Sequence, residues 1–156
     1  MTEAVRRRLE ELGVDLPALP EPRFAYLPGV ITNGPLVFVS GQTPTVDGVP
    51  VVTGRCGAEV STEQAALAAR LVAVNLLAEL DHVAGLENIS RIVKVTGYVA
   101  STNGFIEQPR VVDGASELLA EVFGDIGRHA RAAIGVALLP GNAPVEVELV
   151  AELRQP

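Results

Sequence analysis

Cysteine, methionine and tryptophan are almost missing from this 156-residue chain, which has one Cys, one Met and no Trp. The lone Cys56 can form neither an internal disulfide nor a thiolate cluster for a structural metal, so a reducing, cytoplasmic compartment is the expectation. Long apolar runs are missing too. The best candidate, Leu67 to Val83, is broken by Arg70, Asn75 and Glu79, short of the roughly 18–20 apolar residues a membrane span needs. The opening MTEAVRRRLEEL lacks the apolar core of a secretory signal. Positive charge is scarce: 12 Lys and Arg face 19 Asp and Glu, for a net charge of −7. The only basic run, Arg6 to Arg8, has Glu3, Glu10 and Glu11 around it and reads as a solvated helix face. An acidic protein with two Tyr and four Phe offers phosphate backbones no basic groove and bases no stacking platform, which argues against a nucleic-acid partner.

What is present is globular: 48% hydrophobic and 20% charged residues, in a length that buries roughly 70% of the unfolded surface as one domain. Thr2 to Leu12 reads as a short polar helix stopped by Gly13, and Pro17, Pro20 and Pro22 make the following stretch an arm. Residues 1–23 therefore form a helix and proline-rich arm, and residues 24–156 a single domain. GVITN and LVFVS flank the hairpin dipeptide Asn33-Gly34, and Asp47-Gly48 marks a second turn. Ser61 with Gln64 is a capping box, opening a helix with Leu67, Leu71, Val74 and Ala78 on its stripe and Gly85 at its end. RIVKVTGYVAS (91–101) alternates as a strand, and Pro109 suits the first turn of a second helix with Val111, Ala115, Leu118 and Val122 along one side. AAIGVALL and PVEVELVAEL read as a closing hairpin around Leu139 to Ala143. The order is β-β-α-β-α-β-β, and two helices of this kind cover one face of a sheet.

Within the expected hairpin, Ile134, Val136 and Leu138 form the set that should meet the helices. Arg131, Ala133, Gly135 and Ala137 should then share the uncovered face with Glu146, Glu148 and Glu152. A wet face with cross-strand Arg–Glu pairs is the plain reading. The small residues beside Arg131 look more like a floor that a ligand or a second chain approaches.

HARAAIGVALLPGNAPVEVELVAEL, VFVSGQTP (37–44), the strand RIVKVTGYV and the capped helix before it resemble the YjgF/RidA family of reactive-intermediate deaminases. The likeness runs over about residues 24–153. It implies an α+β fold like the Bacillus-type chorismate mutase, with two helices packed on one face of a mixed sheet. It also implies a homotrimer with ligand sites in the clefts between subunits. Residue by residue, Arg131 matches the arginine that grips a substrate carboxylate, and Glu146 the glutamate that positions or activates water. Ser40 matches the serine of the SGQ segment and Tyr26 the tyrosine upstream. Asp113 lies near the family's asparagine, and Ala133 stands where the archetype has cysteine. The implied reaction is hydrolysis of a 2-imino acid, or its enamine tautomer, to a 2-keto acid and ammonia, with no metal or organic cofactor because an iminium carbon is already electrophilic. The alternatives are a trimer that binds a small carboxylate without turnover and, with least support, an endoribonuclease. The GFIEQPR insertion (104–110) and the N-terminal arm mark a longer branch.

If the last two strands paired as a hairpin turning at Gly141-Asn142, Arg131 and Glu146 of one chain would lie about 20 Å apart, six residues at ~3.3 Å each. No small ligand spans that gap, so the expectation is that the two residues act together only from different subunits.

Overall fold

Local chemistry sets most of the elements. In the computed structural model, which describes residues 2–19 and 24–155, the turn at Asn33-Gly34 joins β1 (Gly29–Ile31) to β2 (Leu36–Gln42) as an antiparallel pair. Asp47 and Gly48, with φ of 52° and 74°, make the two-residue turn between β3 (Thr45–Val46) and β4 (Val49–Pro50); positive φ at both central positions is the type I′ hairpin geometry. An N-terminal helix α1 (Thr2–Glu11) precedes them. Helix α2 (Thr62–Ala84) starts on the reciprocal box, with Gln64 N–H donating to Ser61 Oγ at 3.1 Å and Ser61 N–H to Gln64 Oε1 at 2.9 Å. Strand β5 (Ile89–Ala100), helix α3 (Gln108–Phe123, with Pro109 in its first turn), β6 (Ala130–Val136) and β7 (Val145–Leu153) complete the chain. Pro20, Pro22 and the expected boundary at residue 23 lie outside the described residues.

The main sheet has the order β1-β2-β7-β5-β6, with β6 parallel to β5 and the other pairs antiparallel. This corrects the closing hairpin. β6 and β7 are consecutive but not neighbours, because β5 lies between them and bonds both. α2 and α3 pack on one face over a core that includes Leu76, Leu77, Leu80, Leu118, Leu119, Ile92, Val95, Leu149 and Ala151. The buried stripe of α2 is rotated from the expected one. Ala65, Ala68, Ala69, Val72 and Ala73 face inward, whereas Leu67 is 71% exposed. The alanines permit a close crossing, and at Gly114 of α3 a Cβ would collide with the carbonyl of Ala66. Outside the helix pair, α1 buries Leu9 and is tied down by Arg6 to Asp81 (2.9 Å) and Arg8 Nε to the Glu121 carbonyl (2.9 Å).

The faces of β6 also differ from expectation. Arg131 is level with Val95 and Leu149, both buried under the helices, so Arg131, Ala133 and Gly135 point to the helix side. Ile134 is level with Tyr98 and Glu146 on the open side and is 45% exposed. Small residues are needed under α3 because the helix comes close. A Cβ on Gly97 would run into Val112, and one on Gly135 would lie 2.9 Å from Gln108 Nε2. The small-residue side of β6 is thus a packing surface, and the open face instead presents Val30, Phe38, Val150, Thr96 and Ile134 among charged residues.

Candidate functional site

Arg131 rises from the edge strand toward the first turns of α3. Its Nη1 donates to Asp113 Oδ1 at 2.7 Å and to Ser116 Oγ at 3.1 Å, and its Nη2 donates to the Pro109 carbonyl at 3.3 Å. A guanidinium has five N–H donors in a planar fork. Three are used here, and Nε–H with the second Nη2–H remains without a partner among the described residues. Two donors are thus left over on a group whose planar fork suits a carboxylate. The side chain keeps 23% of its surface exposed.

Behind the arginine lies a proton-ordered chain. His129 Nδ1 is 2.6 Å from the Gly127 carbonyl, and Nε2 is 3.0 Å from Ser116 Oγ. A carbonyl only accepts, so Nδ1 carries the proton and Nε2 takes the Ser116 hydroxyl hydrogen, leaving the Ser116 oxygen to accept from Arg131. Burial pushes the His129 pKa down, the Arg131 charge adds to this, and the Gly127 bond opposes it. Sequence reasoning gave no sign of Ser116, one helical turn after Asp113. Ala133 continues the strand on the same side.

A second group of expected residues collects at β2 and β7. Ser40 Oγ donates to the Leu27 carbonyl at 2.6 Å and Ser40 N–H to the Pro28 carbonyl at 2.9 Å, which fastens the segment carrying Tyr26 to the sheet. β2 bulges between Val39 and Gln42, and the Glu146 carboxylate occupies the place where Gly41 would otherwise carry a Cβ. Burial raises the Glu146 pKa, and the neighbouring Glu148 charge raises it further. Glu148 itself accepts from Tyr98 Oη at 3.1 Å.

The two groups do not meet within one chain. Arg131 and Glu146 are two strands and three residues apart, about 14 Å between backbones at ~4.8 Å per strand and ~3.3 Å per residue, and they leave opposite faces. This replaces the 20 Å of the hairpin reading. Asp113 and Arg131 are brought together; Tyr26, Ser40 and Glu146 are gathered elsewhere. Among the described residues, no group of three or more His, Cys, Asp or Glu is placed to hold a metal, and no helix is long and apolar enough to cross a membrane.

Sequence reasoning also passed over Glu79, noticed only as a break in an apolar run. It is 7% exposed, its Oε1 receives Gln42 Nε2 at 3.4 Å, and its Oε2 has no partner among the described residues. Burial raises its pKa, partly offset by His82. A carboxylate between Leu76, Leu77 and Leu80 on a buried stripe was the available signal.

A mixed five-stranded sheet with two helices on one face defines an α+β protein of chorismate-mutase-like architecture. Comparison with known proteins agrees. Residues 6–153 match the family model described as "YjgF/chorismate mutase-like, putative endoribonuclease", and the chain belongs to that family. A Trypanosoma cruzi protein, TCP17, is 39% identical over 152 residues, 96% of this chain and 94% of its own. The crystal structure of an Agrobacterium tumefaciens protein of unknown function is similar with 44% identity and a TM-score of 0.85, covering 97% of this chain and 93% of that one. A Shewanella oneidensis structure described as "a putative endoribonuclease" is similar with 34% identity and a TM-score of 0.91, covering 96% of this chain and 99% of that one.

Proposed function

We propose that the protein hydrolyses 2-imino acids and their enamine tautomers to 2-keto acids and ammonia, in clefts between the copies of a cytoplasmic homotrimer. The observation that carries this reading is the Arg131 guanidinium, held in place through three of its five donors with two left over for a carboxylate. Binding there fixes a carboxylate and places the adjacent imine carbon. Glu146 is the base. Its raised pKa brings it nearer neutrality, where a carboxylate can take a proton from water and later return one. Water adds to the C=N bond, the nitrogen is protonated, and collapse of the carbinolamine releases ammonia and leaves the keto acid; one water is consumed per turnover. Because Arg131 and Glu146 of one chain leave opposite faces of the sheet, a single site needs the arginine of one copy and the glutamate of another. The open face, with Val30, Phe38 and Ile134 exposed, supplies apolar surface for that association.

One observation favours a second reading, a carboxylate-binding trimer without turnover: Asp113 already pairs with Arg131 and lowers its net attraction for an anion. The endoribonuclease description of the relatives finds less support in a chain of net charge −7. The deciding experiment generates imines with an amino-acid oxidase in the presence of semicarbazide. The wild type should lower the semicarbazone yield and Arg131→Ala should not. Equal yields with and without wild type, across small, branched and aromatic imines, refute the deaminase and leave the binding trimer.

A further inference from the structure

Arg131 meets two acceptors of unlike character through one nitrogen. Nη1 donates to Asp113 Oδ1 at 2.7 Å and to Ser116 Oγ at 3.1 Å. A carboxylate free to settle against a guanidinium frequently takes two parallel bonds, one to each oxygen. Asp113 is half-exposed and has room to do so, yet its bond to Arg131 runs through Oδ1 alone. Closing would require the guanidinium to turn until a second nitrogen met Oδ2. Ser116 holding Nη1 and the Pro109 carbonyl holding Nη2 at 3.3 Å oppose that turn.

Ser116 is itself held. The hydroxyl hydrogen of a helical serine commonly goes to the carbonyl one turn back, which draws the oxygen in against the helix. Here it goes to His129 Nε2 at 3.0 Å, and the Nδ1–H of that ring is anchored on the Gly127 carbonyl at 2.6 Å. The anchor has little play, because Gly127 packs on the Leu119 carbonyl too closely for a Cβ. Burial and the Arg131 charge hold the His129 pKa below its ordinary value against the Gly127 bond, so the ring stays the neutral acceptor this arrangement needs. A cavity of about 350 Å³ opens on the cluster, and Ser116, His129 and Arg131 all line it. The guanidinium therefore borders space that a ligand can enter.

We propose that Ser116 and His129 are positioning residues for carboxylate capture: they keep the Arg131–Asp113 pair open at one bond, so that Arg131 retains free donors for a substrate instead of giving them to Asp113. Without the Ser116 oxygen, Asp113 becomes a competitor for those donors. Without His129 as acceptor, the Ser116 hydroxyl turns back to its own helix and Nη1 loses the same contact. The inference rests on the reading of Arg131 as the carboxylate grip and does not require turnover.

The test is calorimetric titration of the intact protein with 2-oxobutanoate, a keto acid of the proposed product class. Arg131→Ala should abolish binding. Ser116→Ala and His129→Phe should each weaken it about 2- to 12-fold, the worth of one ordinary hydrogen bond, whereas His129→Gln, whose amide oxygen can take the Ser116 hydrogen, should stay within about twofold of wild type. Asp113→Asn decides the mechanism. An amide has one oxygen and no charge with which to close on the arginine, so adding Asp113→Asn to Ser116→Ala should restore the affinity of Asp113→Asn alone. A merely structural serine shows no such rescue. In the imine assay, Ser116→Ala should raise KM with kcat unchanged, since the carboxylate is held alike before and during the reaction. Loss of binding in Arg131→Ala but not in Ser116→Ala or His129→Phe overturns the inference alone, as does a Ser116→Ala loss that persists in full beside Asp113→Asn. Full binding by Arg131→Ala removes the carboxylate grip and this inference with it. The expected binding pattern with no turnover of any imine keeps the inference and removes the deaminase. Thermal melts confirm folding, and the contrast between His129→Phe and His129→Gln decides if Ser116→Ala does not fold.

Discussion

Replacing Arg131 by lysine separates the charge of this side chain from its shape. The ammonium keeps one positive charge but is a point donor with no planar fork. Two things are lost together. The two donors left over, on Nε and Nη2, are no longer there to meet a carboxylate, and the three contacts to Asp113, Ser116 and Pro109 that hold the group in place cannot all be reproduced. Losing one charge-assisted hydrogen bond to the substrate removes about 1.5–3 kcal/mol. That corresponds to a fall of about 10- to 150-fold in kcat/KM. The fold itself should hardly notice. The Arg131–Asp113 pair has side chains 23% and 49% exposed, and pairs of that kind contribute about 0–1 kcal/mol. The assay is semicarbazide competition over a range of imine concentrations, with a thermal melt alongside. A lysine variant with kcat/KM within about twofold of wild type would show that charge alone suffices and refute the fork argument. A collapse of stability would show that the residue is structural.

The pH dependence of turnover should carry the signature of Glu146: as an ionised base it loses activity as pH falls through its pKa, and burial with the Glu148 charge moves that limb above the ordinary glutamate range. Glu148→Gln should shift the limb back toward lower pH, and a limb that stays put in that variant removes Glu146 from the role of base. Gly114→Ala sets a methyl group against the Ala66 carbonyl at the α2–α3 crossing; overpacking of this kind costs about 1–3 kcal/mol, so a drop in Tm is expected, and an unchanged Tm would mean that the helices separate freely. Cys56 is fully buried and its thiol is pushed up to about 11 by burial, so an aromatic disulfide reagent should leave it unmodified in the native protein and titrate one thiol after denaturation; rapid native reaction would contradict the packing around β5.

Much of this architecture was legible because local chemistry fixes it without distant help. The Ser61–Gln64 box, the Asp47-Gly48 turn, Pro109 in the first turn of α3 and the glycine ends at Gly85 and Gly124 are each decided within four or five residues. The relation between β6 and β7 is not local. Two alternating strands joined by a short turn with positive φ at Gly141 and Asn142 look alike whether they pair or pass on either side of a third strand. The face of Arg131 was misread for a related reason. Size usually sorts inside from outside, but α3 approaches β5 and β6 so closely that glycine and alanine are the residues that fit inward, and Ile134 is left outside. Asp113 could be set near the family's asparagine by resemblance, but its pairing with Arg131 shows only in the fold. Ser116 and Glu79 could not be singled out, since a serine and a glutamate on helices gain their meaning only from what stands across from them.

Strand β7 is the piece that turns two half-sheets into one. Without it, the β1–β2 hairpin and the β5–β6 pair share no ladder, since β7 alone bonds to both β2 and β5. It is also the last strand of the sheet along the chain, so every other strand has left the ribosome before the sheet can close, and until then two open strand edges stand ready for any passing chain. Glu146 rides on that strand. The carboxylate assigned to the water step therefore reaches its place beside Gly41 in the same event that seals the sheet, and a nascent protein cannot acquire the site ahead of the fold.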